Sequence, residues 1–187
     1  MSAKSVALVG YRGTGKTSAG RLLARRLALP FEDMDERLVR GFGRDIRQWV
    51  EEHGWEAFRD AESRLLEELA QGPTAVVATG GGAVARPSNR ELLRTRFRTF
   101  WLQASAETVV ARLTADPLTA SLRPPLSELS FEEEIVRLLA ERRPWYQESA
   151  RWALATDGIG PEELAERVAA ELEAIPERRE NEPDRFG

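Results

Sequence analysis

The run Gly10-Tyr11-Arg12-Gly13-Thr14-Gly15-Lys16-Thr17 has the pattern G-x-x-x-x-G-K-[ST]. Its glycines let the backbone curl until successive N–H groups converge, and a helix starting there adds its positive end. That arrangement attracts phosphate. Lys16 is spaced to reach the β- and γ-phosphates of a nucleoside triphosphate, and the Thr17 hydroxyl to ligate Mg²⁺. Gly13, Thr14, Gly15, Lys16, Thr17 and Ser18 are the expected nucleotide contacts.

Farther along, Asp33 and Asp35 stand two apart in Phe31-Glu32-Asp33-Met34-Asp35. On an extended chain that spacing turns both carboxylates to one side. Asp33 could hold a metal through water, and Asp35 could accept a hydrogen bond from an alcohol and take its proton. The same residues could equally start a helix as caps. Arg59 and Glu62 lie three apart on a predicted helix and so share a face. Taken alone they read as a solvated ion pair, like Asp60 and Arg64 beside them. Gly80-Gly81-Gly82 is either a flexible turn or a place where something approaches the backbone closely. Arg123, among Pro117, Pro124 and Pro125, is either a surface arginine or a guanidinium on a stiff lid that closes over the phosphates. Arg142 and Arg143 precede Pro144, where a planar fork could grip a carboxylate or simply complement a helix end.

Other chemistries are excluded by what is missing. The 187 residues include no cysteine and one histidine, His53. Thiolate zinc sites, disulfide frameworks and cysteine nucleophiles are ruled out, and histidine-centred mechanisms have almost nothing to work with. The formal charge of −4, from 27 basic and 31 acidic residues, lacks the basic excess of a nucleic-acid binder. No apolar stretch is long enough for a bilayer, and the start of the chain lacks the regions of a secretory signal. The expectation is a cytoplasmic protein with small-molecule partners, no nucleic acid and no membrane. The five tryptophans read as packing residues.

These side chains need a scaffold, and the hydrophobic pattern supplies an α/β one. Short apolar runs alternate with amphipathic segments, as in βα units with a parallel sheet. Strands are predicted over Ser5–Val9, Leu29–Asp33, Ala75–Thr79, Arg98–Leu102 and Arg151–Ala155. Helices are predicted over Lys16–Ala28, Arg44–His53, Trp55–Ala70, Ser88–Arg96, Ala106–Ala115, Phe131–Arg143 (continuing past a kink at Pro144) and Pro161–Ile175. Asp116–Ser127 has no period, and Pro176–Gly187 reads as a disordered tail. Among uses of a nucleoside triphosphate, a GTPase would carry N-K-x-D, which is absent. A motor would carry an apolar strand ending in an acidic residue, whereas the third strand ends in Thr79 and glycines. A small-molecule kinase is left.

Taken in order, the features resemble those of the shikimate kinase family. That family has a phosphate loop, an aspartate pair after the second strand, F-R-x-x-E, G-G-G, a lid arginine before proline and R-x-P-x-Y. Here these are Gly10–Thr17, Asp33 and Asp35, Phe58-Arg59 with Glu62, Gly80–Gly82, Arg123-Pro124 and Arg142 to Tyr146. The resemblance spans roughly residues 4–175. It implies a P-loop three-layer αβα fold resembling nucleoside monophosphate kinases, with a five-stranded parallel sheet in the order 2-3-1-4-5. Residues 1–175 would form a single domain with a lid near 116–127, followed by the tail 176–187. It implies transfer of the γ-phosphoryl group of ATP to the 3-hydroxyl of shikimate by a monomer, with one Mg²⁺. Lys16, Asp35 and Arg123 would be catalytic, and Thr17 and Asp33 would hold the metal. Asp35, Arg59, Glu62, Gly81, Gly82 and Arg142 would contact shikimate, and Arg112 and Arg123 would add nucleotide contacts, Arg112 by stacking on the base. A kinase of another small polyol acid such as gluconate, or a regulatory module that binds nucleotide without transfer, are the competing readings. Tyr11 and Arg12 depart from the usual composition of such loops; Arg12 either adds a phosphate contact or faces solvent.

Overall fold

The structure is a computed structural model and describes residues 4–115 and 130–174. Five parallel strands form one sheet in the order β2-β3-β1-β4-β5. They are β1 (Val6–Val9), β2 (Phe31–Asp33), β3 (Val76–Ala78), β4 (Arg98–Gln103) and β5 (Trp152–Ala155). The central strand β1 pairs with β3 on one side, Leu8 opposite Ala78, and with β4 on the other, Leu8 opposite Phe100. The expected strand order is therefore the observed one.

Alternation along β1 divides the core. Ala7 and Val9 face one way, into a cluster with Phe58, Leu66, Leu93 and Tyr146. Val6 and Leu8 face the other, into a cluster with Ala19, Leu23, Leu164 and Val168. Both faces are covered, which is why the strands read as short unbroken apolar runs. On the second face lie α1 (Lys16–Leu27) and α7 (Pro161–Glu173), packed on each other. On the first lie α3 (Ile46–Gln71), α4 (Pro87–Arg96) and α6 (Phe131–Ser149); α5 (Ala106–Ala115) packs on α6.

Three local features bear on the site. The second strand is only Phe31–Asp33, and the chain turns at once into a helix, α2 (Met34–Phe42). That helix buries only Met34 and Leu38 and half-buries Phe42, so its apolar signal is one residue per turn, and the Gly41-Phe42-Gly43 end reads as loop. The expected break at Gly54 is present: it has φ 82° and ψ 165° inside α3, a conformation open to glycine, and splits α3 in two. Helix α6 runs through Pro144 to Ser149, carrying Arg142 and Tyr146 on one buried stripe. The proposed lid with Arg123, and the tail 176–187, lie outside the described residues.

Candidate active site

The strands deliver their carboxyl ends to one edge, and the functional residues collect there. The phosphate loop follows β1. Gly10 has φ 146°, and a Cβ on it would stand 2.6 Å from the carbonyl oxygen of Leu102. Gly15 caps α1 at φ 91°, again in left-handed space. Lys16 is buried and folds back along the loop, its Nζ donating to the carbonyls of Gly10 (2.8 Å) and Tyr11 (2.7 Å). Those bonds fix the curl of the loop. The Thr14 hydroxyl donates to the Tyr11 carbonyl at 2.8 Å and reinforces it.

Asp33 and Asp35 do approach the loop, but not through strand alternation. Asp33 is the N-cap of α2, accepting from the Glu36 N–H at 3.2 Å, and Asp35 sits in the first helical turn. The cap reading of Asp33 is realised: one oxygen caps the helix, and the other accepts from the Thr17 hydroxyl at 2.7 Å. Both aspartates line the cleft beside the loop.

Behind them the glycine run is a point of close approach. A Cβ on Gly80 would collide with the Glu62 carboxylate and stand 2.9 Å from Asp35 Oδ1. One on Gly82 would collide with the Arg59 guanidinium. The flexible-turn reading is set aside by these contacts. Gly81 faces the loop itself, its absent Cβ 3.3 Å from the Arg12 backbone nitrogen. The Gly81 carbonyl accepts from Arg142 Nη1 at 3.1 Å and from the Tyr146 hydroxyl at 2.6 Å. Burial raises the Tyr146 pKa far above its ordinary value, keeping it a proton donor.

The solvated-pair reading of Arg59 and Glu62 is overturned. They meet at 2.5 Å with Glu62 0% and Arg59 12% exposed. Burial comes from the packing of α3 under the glycine run, which helix spacing alone does not reveal. Asp60 is held by Arg86 at 2.5 Å, across to the loop before α4. Arg142 is buried, lies 5.7 Å from the Tyr11 ring centroid, and its Nε–H has no acceptor among the described residues.

A cleft of about 790 Å³ gathers much of this set. Its walls carry Gly13, Thr14, Gly15, Lys16, Thr17, Ser18, Asp33, Asp35, Gly81 and Arg112. Gly82 is not in that wall, nor are Arg59, Glu62 and Arg142, which press on the glycine run next to it. Arg112 donates to the carbonyl of Gly13 (3.1 Å) and to the hydroxyl and carbonyl of Thr156 (3.1 and 2.6 Å). It ties the loop to the segment after β5, where Ile159 and Pro161 supply apolar wall. Val39, Asp45 and Ile46 also line the cleft, and no chemistry-bearing pattern marks them in the sequence. His53 stays outside this edge, exposed and stacked on Trp49 at 4.4 Å.

The shikimate kinase family model matches residues 12–173, nearly all of this framework. The chain belongs to the shikimate kinase family. It is 38% identical over 169 residues to a shikimate kinase of Enterococcus faecalis, covering 90% of this chain and 98% of that one. It is 43% identical over 152 residues to the shikimate kinase of Nitratidesulfovibrio vulgaris, covering 81% and 86%. Among solved structures, the shikimate kinase of Acinetobacter baumannii in complex with shikimate matches with a TM-score of 0.84 at 33% identity, covering 90% and 92%.

For a shikimate kinase the expected metal is Mg²⁺, and the donor set suits it. Thr17 and Asp33 offer a hydroxyl and a carboxylate, both hard oxygens. Among the described residues no three histidines or carboxylates cluster as a metal held by protein alone would require. Mg²⁺ at phosphates needs only one or two protein groups, with water and phosphate oxygens completing the shell. Desolvation, with Asp35's charge adding, raises the Asp33 pKa, against the Thr17 hydrogen bond that lowers it.

A raised carboxylate pKa means the folded state prefers the protonated form. The charged form therefore costs stability at neutral pH, and the cost vanishes as pH falls through the raised pKa. Asp33→Asn keeps a capping oxygen and removes the charge. In metal-free protein its melting temperature is expected to rise at pH 7, and the gain to shrink in acid. A lower melting temperature at pH 7 in differential scanning calorimetry would contradict the burial argument.

Proposed function

We propose that the chain transfers the γ-phosphoryl group of ATP to the 3-hydroxyl of shikimate, giving shikimate 3-phosphate and ADP. The observation that carries the reading is the seating of Asp35, the Arg59–Glu62 pair and Arg142 on one glycine run that abuts the phosphate loop. Shikimate is a small monoanionic triol. It needs guanidinium groups for its carboxylate and a carboxylate for a hydroxyl, and that seating offers both beside a triphosphate site.

Each side chain then has a task. Backbone N–H groups of Gly13 to Ser18 and the Lys16 ammonium hold the phosphates. Thr17 and Asp33 would hold Mg²⁺, which neutralises charge on the phosphate oxygens. Arg59, kept in place by Glu62, and Arg142 grip the shikimate carboxylate, with Gly81 and Gly82 as the floor of the acceptor site. Asp35 accepts the hydrogen bond of the 3-hydroxyl. As that oxygen bonds to the γ-phosphorus, the bond to the bridging oxygen breaks, ADP departs, and the hydroxyl proton passes to Asp35. Arg123, outside the described residues, would supply a cation over the transferring group. Arg112 completes the nucleotide end of the site.

Among the described residues no helix is long and apolar enough to cross a membrane. On this reading the chain acts as a cytoplasmic monomer on small molecules, at a biosynthetic step toward aromatic amino acids.

The test is ADP release from MgATP with shikimate, with gluconate, and with neither. Release that depends on gluconate instead would transfer the site to the polyol-acid reading; no acceptor-dependent release of ADP, with shikimate or with gluconate, would leave nucleotide binding without transfer. In the same assay Arg142→Ala is expected to raise KM for shikimate by about tenfold or more, the worth of a charge-assisted pair. KM for ATP should hardly move. An effect confined to ATP would remove Arg142 from the carboxylate.

A further inference from the structure

Arg12 is the residue of the phosphate loop that the roles above leave unused. Its side chain is 20% exposed and lies in the cleft wall, so it does not simply face solvent. It stands where the loop meets the glycine run, its backbone nitrogen 3.3 Å from the position a Gly81 Cβ would take. Lys16 follows it on the nucleotide side; Arg142, bonded to the Gly81 carbonyl, lies on the acceptor side. The Arg12 guanidinium sits 5.7 Å from the ring centroids of both Tyr11 and Phe131. Its Nη2 is 3.9 Å from Oε1 of Glu134, a buried carboxylate on the first turns of α6. That distance is an ion pair but too long for a hydrogen bond. The Arg12 Nε is itself buried and has no acceptor among the described residues.

We propose that Arg12 contacts the phosphoryl group on the acceptor side of the transfer, in flight and as the phosphate of the product, and that Glu134 is the positioning residue that holds it there. The inference rests on the kinase reading above. Two rings and one carboxylate fix where the guanidinium stands, while its hydrogen-bonding capacity toward an oxyanion is not consumed by that fixing. The charges of the ligands explain why the cation is on this side. Shikimate brings one negative charge, and the product adds a phosphate of about −1.5 to −2 at pH 7. Lys16 belongs to the nucleotide phosphates, so a separate cation is needed for the group that leaves them. A contact made to that group and not to shikimate favours the transition state and product over the bound acceptor.

The experiment uses the full-length chain, with shikimate and shikimate 3-phosphate titrated against its tryptophan fluorescence and turnover measured beside them. Arg12→Met is expected to weaken shikimate 3-phosphate by about tenfold, the effect of one charge-assisted hydrogen bond. It should leave shikimate within about twofold and lower kcat by at least tenfold, with KM for shikimate steady. Arg12→Lys, which keeps charge but loses the fork, should recover part of the product affinity. Glu134→Gln should weaken the product less than Arg12→Met does, and add nothing in the Arg12→Met background.

Unchanged product affinity in Arg12→Met, or equal losses for shikimate and product, would overturn the assignment. Additive losses in the double variant would overturn the role of Glu134. Should Arg12→Met fail to fold, Arg12→Lys decides: unaltered product affinity there counts against the proposal, and a selective partial loss supports it. A wild-type protein with no shikimate-dependent ADP release would instead fail the kinase reading itself.

Discussion

Replacing Asp35 by asparagine is expected to cut kcat by about 10²-fold or more, with MgATP binding almost unaltered. Asparagine is isosteric and still accepts a hydrogen bond, so the acceptor hydroxyl can dock; it cannot take the proton. The lower end of the general-base range applies because phosphoryl transfer passes through a loose transition state, in which the attacking oxygen forms little bond and keeps its proton late. The fold should tolerate the change. Asp33, not Asp35, is the N-cap of α2, so the first turn keeps its side-chain cap. Only one charge near the helix start is lost, worth about 0.3–1 kcal/mol. The position is confined, since Asp35 Oδ1 lies 2.9 Å from where a Gly80 Cβ would be. A carboxamide must therefore sit where the carboxylate sat. Single-turnover ADP release, beside nucleotide titration, reads the outcome: full-speed transfer by Asp35→Asn would exclude this residue as base and as acceptor anchor.

The position of Asp35 shows how far the sequence could be read. Its neighbourhood to the phosphate loop followed from the family resemblance, whose strand order sets β2 one strand away from β1, with β3 between them and all three carboxyl ends on one edge. The local geometry was not legible, because two-residue spacing fits both a strand and a strand ending in a cap. Helix α2 escaped for a related reason: burying Met34 and Leu38 takes too few apolar residues to show a period. Where the signal was covalent or steric, as in the glycines of the loop and the break at Gly54, sequence and structure agree. Burial is the harder quantity. Arg59 and Glu62 carry the same spacing as any surface pair, and only the packing of α3 against the glycine run makes them a dry one. The overall charge of −4 likewise conceals a site lined by Arg12, Lys16 and Arg112 and bordered by Arg59 and Arg142.

That dryness sets the size of the second large effect. Arg59→Met is expected to destabilise the fold by about 3–5 kcal/mol, the cost of breaking a buried ion pair from one side. Glu62 would lose the guanidinium that neutralises it while staying 0% exposed, packed against Gly80 with no room to swing toward water. Shikimate affinity should collapse in the same variant, since a grip on the carboxylate goes with the guanidinium. The two losses have different causes, and a second substitution separates them. Adding Glu62→Gln removes the stranded charge and keeps the volume, so much of the lost stability should return. Shikimate affinity should not return, because glutamine restores no cation. Urea unfolding of the single and double variants reads the first effect and shikimate titration the second. If the double variant recovered both, Arg59 would act only by balancing Glu62, and the carboxylate would have to be held by Arg142 alone. If it recovered neither, the damage would lie in the lost contact of the Arg59 guanidinium with the rings of Trp55 and Phe58, whose centroids each lie 5.4 Å from its carbon.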